Sequence, residues 1–337
     1  MYSDLLKTSL SRQVVGQERA VNVLVRSVTT AVSGMVEPGA PLGTHLFMGP
    51  PGTGKTHLVR SLALVLHGSE ERLAVATCNP PAGGEDWLPF AGQFVSLFVC
   101  ETVENRRTVL TARPLSLLLI EHLERASQAT VRALVASLES GRLPLPEGRM
   151  ATLENTLVIL TTNLCSREIL DSGTPGIGFA APAEECEEQQ EVVRKVCRQA
   201  AKKHWGQEFL AQLDDFVVFR ALGEDDLLSI LERANRRLNH RLSTLGLSCE
   251  MLPAAQHFLL HRGVGQLRSG AKGLVKAYRR FVEFPVADLA ISGSSPFGSR
   301  IVVDHHRDEE HLHFVVTRSR PHQHAAPLPF SVPIVSA

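Results

Sequence analysis

The sequence has no excess of either charge: 35 lysines and arginines balance 35 aspartates and glutamates over 337 residues. A chain-wide attraction to nucleic acid or to anionic membrane is therefore excluded, and a DNA-binding role would need a local basic patch. No stretch approaches the roughly 20 apolar residues that span a bilayer, and the amino-terminal MYSDLLKTSLSRQ lacks an apolar segment of signal-peptide length. These absences point to the cytoplasm and away from any membrane. Cysteine is scarce and scattered. Cys78, Cys100, Cys165, Cys186, Cys197 and Cys249 form no CxxC pair, which speaks against a zinc site and against a disulfide framework. They read as small buried hydrophobes. Six of the 14 histidines fall between 305 and 324, but without a His-x-x-x-His spacing on a helix or a cysteine partner, and that pattern does not predict a metal site. What is left, 44% hydrophobic and 21% charged residues, suits a soluble globular chain of one large or two medium domains.

Apolar runs of strand length alternate with amphipathic stretches through the first two-thirds of the chain. Thr44–Met48, Leu73–Cys78, Ser116–Glu121, Thr156–Thr162 and Phe216–Phe219 read as five buried strands, hence as an α/β fold with a mainly parallel sheet covered on both faces. His57–His67 and Ser127–Ser140 read as helices between them, the second stopped by Gly141. After Ala221 the pattern becomes helical near 224–243, 253–262 and 271–292, with two apolar strands around 300–304 and 312–317. We expect a large domain over 1–220, a smaller and mainly helical domain with short strands over 221–319, and a disordered tail over 320–337, where proline is frequent and no period exists. The acidic run PAEECEEQQE at 182–191 reads as a solvated helix face or loop.

One motif carries strong chemical meaning. Gly49-Pro50-Pro51-Gly52-Thr53-Gly54-Lys55-Thr56 fits G-x-x-x-x-G-K-[ST] between an expected strand and an expected helix. This P-loop pattern lets backbone N–H groups close around phosphates at the positive end of the helix. Lys55 reaches the β and γ phosphates, and Thr56 offers its hydroxyl oxygen to Mg²⁺. Gly49, Pro51, Gly52, Thr53, Gly54, Lys55 and Thr56 are thus candidate residues for binding a nucleoside triphosphate.

The order of VVGQERAV (14–21), the P-loop, LLLIEHLERA (117–126), ESGRLPLPEGRMATLENTLVILTTNLCS (139–166), GIGF (176–179), EFLAQLDDFVVF (208–219) and SGAKGLVKA (269–277) resembles the Clp and disaggregase branch of the AAA+ ATPases. The likeness covers most of residues 5 to 318. It implies a P-loop NTPase module with a small carboxyl-terminal lid domain, MgATP as ligand, a homo- or hetero-oligomeric ring, usually a hexamer, and chaperone-type remodelling of a polypeptide client. By the same resemblance Val15 and Gly16 contact adenine with Ile230 opposite, Glu121 orders Mg²⁺ through water, Asn163 helps to position the attacking water, and Lys272 senses the γ-phosphate. The resemblance covers one ATPase module, without the adaptor domain, second module or coiled-coil insertion of larger relatives.

Several positions depart from the family pattern. His122 stands where the catalytic glutamate belongs, and Glu121 stands for the family's aspartate. Gln212 occupies the place of the arginine finger. Lys272 replaces the sensing arginine, keeping charge and losing the planar fork. Loss of a positioned base typically costs about 10² to 10⁴ in rate and loss of a finger about 10³ to 10⁵. The expectation is a chain that captures ATP and cleaves it slowly. Two alternatives stay open: a neutral His122 acting as base, and a pseudo-ATPase using ATP as an assembly ligand. A nucleic-acid-handling loader is the weakest reading. Phe98-Val99-Cys100 and Phe90-Ala91-Gly92 are both candidates for a substrate-threading loop.

Overall fold

The computed structural model describes residues 2–78, 98–104, 107–112, 114–145, 149–172, 183–264, 270–292, 295–306 and 309–318. Phe90–Gly92, GIGF and the tail from Arg320 lie outside the described residues. The chain divides into two compact units, one comprising Met1–Ile230 and Gly263–Leu274, the other Leu231–Arg262 and Val275–Ala337.

The first unit opens with helices α1 (Tyr2–Ser11) and α2 (Glu18–Val32) and then enters strand β1 (Gly43–Met48) and helix α3 (Lys55–His67). There follow β2 (Leu73–Thr77), β3 (Phe98–Glu104), β4 (Arg107–Ala112), β5 (Ser116–Glu121), α4 (Gln128–Ser140), β6 (Arg142–Pro144), β7 (Met150–Thr152), β8 (Thr156–Thr162), α5 (Ser166–Ser172), α6 (Ala183–Ala211) and β9 (Asp215–Val218). The five strands expected from apolar runs form one parallel sheet in the order β2-β5-β8-β1-β9. Their near-continuous hydrophobicity has a direct cause. Leu46, Met48, Leu118, Ile120, Val158 and Leu160 face one core with α4, α5 and α6, while Phe47, Leu117, Leu119, Leu157 and Ile159 face a second core with α1, α2 and α3. With both faces covered, the period-2 alternation selects which core a side chain enters, not whether it is buried.

Local signals stop the helices where expected. Ser127 caps α4 by accepting from the Thr130 backbone N–H at 3.1 Å, and Gly141 ends it in the left-handed region at φ 63°. The acidic run lies largely within α6, whose helical path is broken at Gly206 (φ 91°, ψ 169°). A second sheet, in the order β3-β4-β7-β6, was not expected from the sequence. Phe98-Val99-Cys100 belongs to its first strand.

The second unit contains most of α7 (Glu224–Ser243), then β10 (Ser248–Met251), α8 (Pro253–Val264), the end of α9 (Gly270–Tyr278), a π-helical segment at Arg279–Glu283, α10 (Phe284–Ile291), β11 (Ser299–Asp304) and β12 (His313–Arg318). β10 pairs parallel to β11, and β11 pairs antiparallel to β12. Two asparagines of α7 tie β10 in place: the Cys249 N–H donates to Asn239 Oδ1 at 2.7 Å, and Asn239 and Asn235 both donate to the Cys249 carbonyl. Among the described residues no helix is long and apolar enough to cross a membrane.

Candidate functional site

Parallel strands leave their carboxyl ends on one edge, and α/β folds place ligands in the crevice there. At this edge β1 runs into residues 49–54 and then α3. Gly52 (φ 79°) and Gly54 (φ 101°) adopt a backbone that side chains disfavour. A Cβ on Gly49 would lie 2.8 Å from both the Cβ and the carbonyl oxygen of Phe219, so the loop leaves β1 pressed against the chain beyond β9. Thr53 is buried and donates its hydroxyl to the Pro50 carbonyl at 2.9 Å. Gln17 reaches in from the start of α2 and donates to the carbonyls of Thr53 at 3.3 Å and Arg220 at 3.1 Å.

Lys55 is 8% exposed. Its ammonium donates to the carbonyls of Gly49 at 2.6 Å and Pro50 at 2.8 Å and to Asn163 Oδ1 at 3.0 Å. Burial pushes it down to about 8, against the pull of Glu124 and Glu121, which favour the charged form. One turn of contact away, the Thr56 hydroxyl donates to the Glu121 carboxylate at the end of β5. That pair of oxygens suits a hard cation.

His122 follows β5 in the left-handed region at φ 60°. Its Nδ1 lies 3.1 Å from Glu124 Oε1 and 3.1 Å from Asn163 Nδ2. Because an ammonium can only donate, Asn163 turns Oδ1 to Lys55 and Nδ2 to His122 and Glu124. Glu124 is the hub of this group. It accepts from the Thr162 hydroxyl at 2.8 Å and from the Asn163 backbone N–H at 3.2 Å. Burial alone would raise its pKa, yet hydrogen bonds from its own backbone, His122, Thr162 and Asn163 outweigh burial and lower it. A carboxylate so engaged is a poor proton acceptor and a good positioning group.

Two further segments meet the loop. A Cβ on Gly16 (φ 70°) would lie 2.5 Å from Arg220 Nη2 and 2.8 Å from Asp226 Oδ1, a pair joined by two hydrogen bonds of 2.5 and 3.0 Å. Val15 is a half-buried neighbour of Gly16, and Ile230 is half-buried one helical turn beyond Asp226. At the start of α9, the Ala271 N–H donates to the Gly52 carbonyl at 3.1 Å. Gly270 (φ 55°) lies so close that a Cβ would be 2.9 Å from the Gly52 oxygen. Lys272 is the next residue, and its side chain is exposed.

The family model for the AAA domain (Cdc48 subfamily) matches residues 40–216, which contain the Gly49–Thr56 loop, Glu121, His122 and Asn163. The chain belongs to this family. Relatives place it in the Clp and disaggregase branch. It is 29% identical over 312 residues to the ATP-dependent Clp protease ATP-binding subunit ClpC of Staphylococcus epidermidis, covering 89% of this chain and 36% of that protein. It is 29% identical over 310 residues to chaperone protein ClpB 1 of Nostoc sp., covering 92% of this chain and 34% of that protein. The chain thus spans about a third of the length of the curated relatives it matches.

Within this AAA module the fold brings together Lys55, Thr56, Glu121, His122 and Asn163, and it sets Gly16 and Gly270-Ala271 against the residues that flank or form the loop. Gln212 is instead engaged with Glu139, donating to its carboxylate at 3.0 Å. Sequence reasoning passed over Glu124, Gln17 and the Arg220–Asp226 pair. Glu124 was given no role there, although a carboxylate three residues beyond a strand-end acid was a usable signal. Gln17 and Arg220 are 203 residues apart and carry no local signal.

Proposed function

We propose that this chain is a Clp-like AAA+ module that binds MgATP firmly, cleaves it slowly, and works within a homo- or hetero-oligomeric ring on polypeptide. The observation that supports the reading best is the division of labour around Asn163: its amide carbonyl faces Lys55, a binding residue, while its amide nitrogen faces an imidazole where a catalytic carboxylate would be expected. The residues fit the nucleotide. Lys55 is a buried ammonium whose partners are two loop carbonyls and one amide, and phosphate oxygens would supply it with stronger partners. Loop N–H groups at the start of α3 would take the phosphates. Thr56, and Glu121 through water, would hold Mg²⁺, which when bound offsets charge on the β and γ phosphates. Gly16 and Val15 with Ile230 would take the base, and Lys272 would approach the γ-phosphate from α9.

His122 decides the rate. With Nδ1–H donated to Glu124, Nε2 is left unprotonated and can accept a proton from water. With Nδ1 accepting from Asn163, Nε2 carries the proton and the base is lost. Glu124 thereby sets the fraction of competent imidazole. Gln212 offers no charge to a neighbouring site, so an arginine from a different partner subunit would have to supply one. The second reading, an assembly subunit that uses ATP only as a ligand, is favoured by the joint replacement at 122 and 212. One preparation tested for ATP binding, hydrolysis and oligomer mass, with and without candidate partner proteins, separates the two. Slow but measurable turnover that falls in His122→Ala supports the first. Binding and assembly with no turnover above a Lys55→Ala control supports the second. No ATP binding would overturn both.

A further inference from the structure

The turn leading from β11 into β12 gathers chemistry that the nucleotide site does not use. Glu309, His311 and His313 have ligating atoms that all lie within 4.8 Å of one another. Glu309 Oε2 is bonded to His313 Nε2, and the same oxygen lies 3.5 Å from His311 Nε2. The two rings are 5.0 Å apart, and the His306 ring packs against His313 at an interplanar angle of 57° with centroids 4.5 Å apart. We propose that Glu309, His311 and His313 bind one borderline divalent transition-metal cation of the Zn²⁺ class, with a position left open to water.

Three observations carry this. First, both imidazoles turn Nε2 toward one carboxylate oxygen. As ion pairs, two imidazolium rings this close would repel each other. As neutral rings, each offers a lone pair, and a cation joins all three donors. Two imidazoles and a carboxylate are a recognised donor set for Zn²⁺ and related ions, whereas Mg²⁺ and Ca²⁺ prefer oxygen alone. Second, the scale fits. Donors about 2.0–2.1 Å from a tetrahedral ion sit roughly 3.3 Å apart, so the farthest pair would close by at most roughly 1.5 Å. Third, the donors sit on anchored backbone. His313 pairs with Asp304 in the β11–β12 ladder, and Leu312 between the two histidines is buried. His305 donates from Nε2 to the Glu309 carbonyl at 3.0 Å, and its ring packs on Phe258 at 4.6 Å. His311, with a side chain 69% exposed, keeps one side of the trio open to solvent. A bound cation would tie Glu309 to the start of β12 and close the turn.

The test uses the full chain without an affinity tag, free of nucleotide and stripped with chelator, titrated calorimetrically with Zn²⁺ at pH 7.5 and with Mg²⁺ and Ca²⁺ as controls. The expected result is one Zn²⁺ per chain, no heat from the controls, and an affinity loss of about 100-fold or more in His311→Ala/His313→Ala. Melting in chelator checks that this variant is folded, and His311→Ala alone, which removes one exposed ligand, should weaken binding by at least about tenfold, the lower end of what an outer-shell partner is worth. His322→Ala/His324→Ala should bind as the parent does. Unchanged binding in the 311/313 variant, loss of binding in the 322/324 variant, or no Zn²⁺ binding by the parent would each overturn the proposal.

Discussion

Replacing Lys55 by methionine should separate two properties that usually move together. In the folded chain this ammonium is buried and titrates at about 8 rather than 10.5, because burial disfavours its charge more than Glu124 and Glu121 favour it. That fall corresponds to about 3 kcal/mol held against the protonated form. Methionine keeps most of the stem and removes that penalty. It also removes the donor from the carbonyls of Gly49 and Pro50 and from Asn163 Oδ1. Losing these three hydrogen bonds costs about 1 kcal/mol each. The two effects nearly cancel, and the nucleotide-free Lys55→Met protein should melt close to the parent. ATP binding has no such compensation. Loss of charge-assisted bonds to the β and γ phosphates should cost about 3 kcal/mol, roughly 150-fold in Kd. Melting of the nucleotide-free proteins and calorimetric titration with MgATP at pH 7 would measure both. The parent adds a check on sign. Phosphates favour the ammonium, so at pH 8.5, above the value in the empty site, ATP binding should take up protons, and at pH 7 it should not. Calorimetry in two buffers of different ionisation enthalpy reads this directly. A methionine variant that binds ATP within threefold of the parent would refute the assignment of Lys55 to the phosphates.

Three other predictions test different parts of the module. His122→Glu with Gln212→Arg should raise ATP turnover by more than the product of the single changes, since both groups act on one transition state; a double variant that binds ATP, assembles and turns over no faster than the parent would count against both positions. Gly270→Ala places a Cβ 2.9 Å from the Gly52 oxygen at φ 55° and should cost about 1–2 kcal/mol from backbone strain alone, weakening ATP binding without touching an ionisable group; unchanged melting and unchanged affinity would show that α9 does not brace the loop. Burial holds His45 below its ordinary 6.5, against Asp215 and Asp214 and with Arg26, while Ser27 bonds its Nε2 at 2.8 Å. The unfolded chain therefore binds that proton more readily, so this contribution is complete above pH 6.5 and is lost as pH falls toward the depressed value. Denaturant titrations at pH 7.5 and 5.5 should show a shallower pH dependence in His45→Gln, and equal slopes would remove His45 as the cause.

Much of the sheet was legible because its signals are local. A strand buried on both faces is an unbroken apolar run, so β1, β2, β5, β8 and β9 could be read within a residue or two, and Gly52 and Gly54 of the loop sit where φ is positive. Ser127 and Gly141 marked the ends of α4 through a side-chain acceptor and a left-handed backbone, both properties of single residues. The sequence by itself also determined which chemical groups follow each strand: a lysine and threonine after β1, a glutamate and histidine at the end of β5, an asparagine after β8.

What these groups do to one another was decided only by the tertiary structure. The sheet of β3, β4, β6 and β7 depends on β4 pairing parallel to β7, whose residues come some 40 positions later and are too short to announce themselves. β10, four residues long, becomes a strand only because β11 lies beside it. Glu124, to which the sequence assigns no role, gains hydrogen bonds with His122, Thr162 and Asn163 once β8 lies beside β5. Gly270 acquires its requirement from Gly52, more than 200 residues away. The histidines near 310 lack a helical ligand spacing, yet a turn and one strand end draw Glu309, His311 and His313 together. Periodicity and backbone preference act over one turn or one strand, whereas hydrogen-bond partners and ligand sets depend on separations through space that the order of residues does not encode.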